Sequence, residues 1–178
     1  MKNKNKFMGL LVAIVISFVA DVSPCFGQPV PGGPGYFIQP GSAFRPRVST
    51  ASFTIYGSTL VSINAPVIYY APVFLPHGAT INKLVLYYSD TDATLNIEAN
   101  LYRVPLPWSA MSELAIIQSS GSSTTKIYSE TTTINNPVVD NQGYGYYVRL
   151  YLPASDHLGV DGFRIDYSFP TNLPVILK

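Results

Sequence analysis

Few side chains in this sequence are of the types that do chemistry. The two histidines, His77 and His157, stand 80 positions apart, with no HExxH pair and no second cysteine to join them. That spacing offers no zinc site. Asp156 directly precedes His157, but neighbours on a strand face opposite ways. No G-x-S-x-G is present, so a serine hydrolase would need a triad assembled through a loop. Glycosidic cleavage needs two carboxyl groups flanking the bond. Glu98, Glu130 and Asp166 are the carboxylates on strand-like segments, and each sits among Asn, Thr or Arg as on a solvated face. A hydrolase is therefore the least favoured reading. Asp90 and Asp92 place two carboxylates in one turn, which is a calcium candidate and equally an ordinary turn whose side chains bond their own backbone. Nothing calls for a cofactor.

Sugar binding asks for less: flat aromatic faces held in a row by a rigid sheet. In Tyr144–Leu152 the residues Tyr144, Tyr146, Val148, Leu150 and Leu152 alternate with Tyr147, Arg149 and Tyr151. If the first set faces a core, then Tyr147, Arg149 and Tyr151 form the opposite face. Tyr87 or Tyr88, Tyr102 and Trp108 are candidates to extend that platform. Tyrosine is also favoured in strands without any ligand, where its ring packs and its hydroxyl stays wet. A strand apolar on both sides is often central and covered twice, so these tyrosines could instead meet another subunit.

The elements that must hold these residues are strands. Period-two alternation is clearest where Leu95, Ile97, Ala99 and Leu101 alternate with Asn96, Glu98 and Asn100. Further strands are expected over Ser52–Tyr56, Ile81–Tyr88, Leu114–Gln118, Lys126–Ile134 and around Phe163–Tyr167. Leu60–Tyr70 is interrupted by Pro66, which points to an edge strand, a bulge or two shorter strands. Ser109–Leu114 could add one helical turn. About eight short strands separated by turn residues predict an all-β antiparallel sandwich of Greek-key or jelly-roll type; a closed barrel is the alternative.

The chain has 178 residues, room for one domain, and charged residues are only 12% of it. There is no basic surplus of the kind a nucleic-acid partner requires. Lys2, Lys4 and Lys6 precede an uncharged run from Phe7 to Ala20, then Pro24, Cys25 and Gly27. This is the pattern of a secretory signal peptide over residues 1–27, and the run is short for a membrane span. Cleavage after Gly27 removes the one cysteine, Cys25, and leaves no span. Residues 28–49 begin with a Pro/Gly-rich stretch read as a linker or extended arm, followed by the sandwich at 50–178. The tail LPVILK (173–178) could pair within its own sheet or with a neighbour's edge.

The phrases APVFLPHGATINKLVLYYSD (71–90), LYRVPL (101–106), NQGYGYYVRLYLP (141–153) and GVDGFRIDY (159–167) form a pattern. It resembles that of uncharacterised exported bacterial β-sandwich proteins. The resemblance implies a fold and export, and carries neither an activity nor a site residue. The sequence thus points first to an exported, non-enzymatic β-sandwich with a structural or interaction role at the cell envelope or outside the cell. Its partners there would be itself or other envelope proteins. The alternative is a small carbohydrate-binding module whose partners are glycans.

Overall fold

The structure is a computed structural model, and it describes residues 33–107, 110–121 and 123–169. The expected signal peptide, the first part of the arm, Trp108, Ser109 and the 173–178 tail lie outside the described residues. The strands are β1 (Pro34–Pro40), β2 (Arg45–Pro46), β3 (Phe53–Tyr56), β4 (Thr59–Ser62), β5 (Val67–Val73), β6 (Thr80–Asp90), β7 (Glu98–Pro105), β8 (Ser112–Gln118), β9 (Ser123–Thr131), β10 (Tyr144–Leu152) and β11 (Leu158–Ser168). One sheet runs β3-β4-β11-β6-β9, with β1 also paired to β11, and the other runs β2-β5-β10-β7-β8. Every pairing is antiparallel. From β5 to β11 the chain changes sheet at each connection except the β7–β8 hairpin, so this is an antiparallel β-sandwich as the alternation predicts. No helix among the described residues is long and apolar enough to cross a membrane.

The two sheets are joined by their inward residues. Tyr69 and Ala71 of β5, Leu84, Leu86 and Tyr88 of β6, Ala99 and Leu101 of β7, Val148 and Leu150 of β10, and Phe163 and Ile165 of β11 are all buried. Each large side chain taken fully out of water contributes about 1.5–3 kcal/mol, and no disulfide is needed to close a core of this size.

The Leu60–Tyr70 run divides ahead of Val67 into two shorter strands, one of the outcomes Pro66 predicts, and these strands, β4 and β5, lie in opposite sheets. Two stretches differ from the sequence reading. Ser112–Leu114, read as the end of a helical turn, belongs to β8. Residues 34–40, read as part of a linker or arm, pair along their whole length with β11, from Pro34 opposite Ser168 to Pro40 opposite Gly162. Proline lacks the N–H that an inner strand needs, and β1 lies at an edge with prolines at both ends.

The β1 pairing depends on a glycine. β11 shifts register between Val160 and Gly162, and Gly162 takes φ of 150°. A Cβ there would stand 2.3 Å from the Gln39 carbonyl oxygen. Beside it Phe163 packs against Phe37 and Phe44, with ring centroids 6.1 and 5.6 Å away. Replacing Gly162 by Ala should therefore force β1 off β11 and uncover this aromatic cluster. The expected loss of stability is about 2–3 kcal/mol, read from urea unfolding; a loss under about 0.5 kcal/mol would contradict the close approach.

Candidate functional site

The outer face of the β2-β5-β10-β7-β8 sheet gathers the residues that alternation turned away from the core. Strand register aligns them in three rows across the sheet. Pro72, Tyr147, Tyr102 and Glu113 form one; Arg45, Tyr70, Arg149, Asn100 and Ile116 the next; Ile68, Tyr151, Glu98 and Gln118 the third. Tyr147, Arg149 and Tyr151 do share one face, as the sequence predicts.

Three of the tyrosines touch. The Tyr102 and Tyr147 rings stack with centroids 5.6 Å apart and 27° between planes. Tyr70 meets Tyr147 edge-on, also at 5.6 Å. All three are half-buried, so the rings are fixed while one surface stays open. Burial pushes the Tyr147 phenol above its usual pKa, with Tyr70 adding to it, and burial followed by the Glu113 hydrogen bond does the same for Tyr102. Both hydroxyls therefore remain neutral at ordinary pH. Tyr147 Oη points to Met111 Sδ at 3.1 Å, and Tyr102 Oη donates to Glu113 Oε2 at 3.1 Å.

A polar network runs beside the rings. Arg149 donates to Asn100 Oδ1 at 3.2 Å and stands 3.6 Å from Glu98. Asn100 Nδ2 donates to Glu113 at 2.9 Å, and Gln118 Nε2 donates to Glu98 at 3.0 Å. The side chains are thus oriented before anything binds, and the two carboxylates of the face are already engaged by donors.

The other candidates fall elsewhere. Tyr88 is buried in the core, its hydroxyl on Ser129 at 2.8 Å, so it cannot join the platform. Tyr87 lies on the outer face of the opposite sheet, against Tyr128 at 6.1 Å. Those two rings, with Ile38, Pro40 and Gly162, line a groove of about 450 Å³ whose walls are almost wholly apolar. His157 stands 3.6 Å from Asp156 and both are largely exposed. His77 Nδ1 accepts the Asn141 backbone N–H at 3.1 Å, in a different turn. Glu98 lies on the platform, whereas Glu130 and Asp166 lie on the opposite sheet, Glu130 held by Lys83 at 3.0 Å and Asp166 by Arg164 at 2.7 Å. Sequence reasoning missed Tyr70, although Val67, Tyr69, Ala71 and Val73 alternate with Ile68, Tyr70 and Pro72; Pro66 and Pro72 mask the period.

The carboxylates proposed for calcium build their own loop. Asp90 Oδ1 accepts the Asp92 N–H at 3.0 Å, while Asp90 Oδ2 is buried without a hydrogen-bond partner. Asp92 Oδ1 accepts the backbone N–H groups of Thr94 at 2.9 Å and Leu95 at 3.0 Å and the Thr94 hydroxyl at 2.9 Å. Among the described residues no group of three His, Cys, Asp or Glu side chains is placed to hold a metal ion.

The Thr94 and Leu95 N–H groups, first among the causes, hold the Asp92 carboxyl at about 2, below its usual 3.8. A depressed carboxyl stabilises the fold above the unfolded pKa and loses that contribution as pH falls through the folded one. Between pH 4.5 and 2 the melting temperature of the native protein should therefore fall more steeply than that of Asp92→Asn, which does not titrate. Parallel profiles by differential scanning calorimetry would contradict this.

No protein-family model and no curated protein matches the sequence. Solved structures of similar shape include the C-terminal CBM6 of a laminarinase, LamC, from Zobellia galactanivorans. It is 9% identical over 74% of this chain and 98% of its own, with a TM-score of 0.49. A xylan-binding module, CBM15, is 10% identical over 78% of this chain and 99% of its own, also at 0.49. The CBM36-1 domain of a multidomain xylanase from a Trinervitermes trinervoides hindgut metagenome is 12% identical over 74% and 96%, at 0.42.

Proposed function

We propose that this protein is an exported carbohydrate-binding module that holds a glycan chain on the outer face of the β2-β5-β10-β7-β8 sheet. One observation carries the reading: Tyr70 and Tyr102 both pack their rings against Tyr147 on an open sheet face beside the Arg149–Asn100–Glu113–Glu98–Gln118 network. The C–H-rich face of a sugar ring stacks on the tyrosines, and its hydroxyls exchange hydrogen bonds with the flanking amides, carboxylates and guanidinium. Aromatic packing supplies most of the contact area, and fixed polar groups supply direction. Because those groups are pre-ordered by one another, binding freezes few side chains.

An interaction role at the envelope or outside the cell is compatible with this reading, since a surface glycan is itself such a partner. A leader over residues 1–27 would place the module there. Catalysis has no part in the proposal. The apolar groove at Tyr87 and Tyr128 is the weaker glycan candidate, because its walls supply few groups to orient hydroxyls.

Tyr147 is the ring both others touch. Replacing it by Ala should weaken glycan binding at least ten-fold, about 1.4 kcal/mol, with the melting temperature little changed because the ring is on the outer face. Isothermal titration with the best oligosaccharide from a glycan array checks this. Equal affinity of Tyr147→Ala and the native protein would overturn the reading.

A further inference from the structure

The charge on this face is unevenly distributed. Its acidic residues, Glu98 and Glu113, lie on β7 and β8, and both accept hydrogen bonds from neighbouring side chains. The central Arg149 is paired with Glu98 and donates a hydrogen bond to Asn100. At the opposite edge the pattern changes. Arg45 of β2 is opposite Tyr70, so its side chain rises on the same outer face. The Arg47 backbone N–H donates to the Ile68 carbonyl at 2.8 Å, which continues the pairing and returns Arg47 to that face two residues later. Both arginines are exposed. Among the described residues neither guanidinium meets an acid or makes a hydrogen bond. Two uncompensated cations thus stand in a line along the edge of the tyrosine platform, beside Tyr70 and Ile68.

We propose that the module selects acidic glycans, with sugar rings stacked on Tyr70 and Tyr147 and their anionic substituents, carboxylate or sulfate, held by Arg45 and Arg47. This rests on the sugar-binding reading and adds the class of sugar. A guanidinium presents paired donors to a carboxylate or sulfate and stays charged at every working pH. Two arginines two residues apart on one strand face are about 6.6 Å apart along it. That span is on the scale of one sugar residue, so both can meet anions on a single short stretch of chain. A neutral glycan would leave this edge unused, and it would bind by the tyrosines alone.

The test pairs polymers that differ only in charge: polygalacturonate against its methyl-esterified form, and dextran sulfate against dextran. The native protein, Arg45→Gln/Arg47→Gln and Tyr147→Ala are compared by affinity electrophoresis, with thermal melts to verify folding. The native protein should retain at least ten-fold tighter binding to the charged member of one pair, and which pair distinguishes carboxylate from sulfate. The preference should shrink as salt rises from 50 to 500 mM, because exposed charge contacts are screened. The double arginine variant should bind both members of that pair alike, while Tyr147→Ala binds each at least ten-fold more weakly than the native protein.

Tyr147-dependent binding with no charge preference, or a preference that survives loss of both arginines, would overturn the acidic-glycan inference and leave the sugar-binding reading standing. A single-stranded oligonucleotide retained as tightly as the acidic glycan would overturn it in favour of general polyanion binding. Binding to none of the four polymers would overturn it for both anion types.

Discussion

Everything on the tyrosine-bearing face follows from the parity of β10. Val148, Leu150 and Leu152 are buried between the sheets, and their removal from water fixes which way every other residue of the strand must point. A slip of one residue would send those three into solvent and drive Tyr147, Arg149 and Tyr151 into the core, leaving a guanidinium buried. The register with β5 and β7 on either side transmits the same parity to Tyr70, Asn100 and Tyr102. The platform is therefore the reverse side of the core, and its geometry is held by the packing that stabilises the fold.

That coupling explains how a face so rich in tyrosine can remain open. Tyr147 is stacked by Tyr102 and braced by Tyr70, so its ring has lost its rotamer freedom before a ligand arrives. The adjacent carboxylates are occupied by donors from Asn100, Gln118 and Tyr102, so the network does not need a bound cation to be satisfied. The opposite sheet is built differently. Among the described residues its outer face carries the closed pairs Lys83 with Glu130 and Arg164 with Asp166, and its groove is mostly apolar. Among the described residues, only the first face combines open rings, oriented polar atoms and positive charge without an acidic partner.

Much of this was legible in the residues. Alternation through β10 and the buried half of β7 predicted both the sandwich and the shared face of Tyr147, Arg149 and Tyr151, because burial on one side imposes period two directly on the sequence. Partners across the sheet were less accessible. Tyr70 and Asn100 come to the site through strand order, and the β10 neighbours β5 and β7 are 75 or so and 45 or so residues earlier in the chain. Tyr88 was a candidate for the platform only because Tyr87 and Tyr88 are adjacent and nothing local says which of them faces in. The 34–40 stretch reads as part of a linker or extended arm for a related reason: its prolines exclude an inner strand, but whether an edge is waiting for it depends on the bulge at Gly162.

The most direct test of the central claim is a two-dimensional NMR titration of the folded protein with a bound oligosaccharide, following the tyrosine ring and arginine side-chain signals. The account predicts shifts concentrated on Tyr70, Tyr102, Tyr147 and Arg149, with Tyr87 and Tyr128 unmoved. Shifts confined to the Tyr87–Tyr128 groove would contradict it.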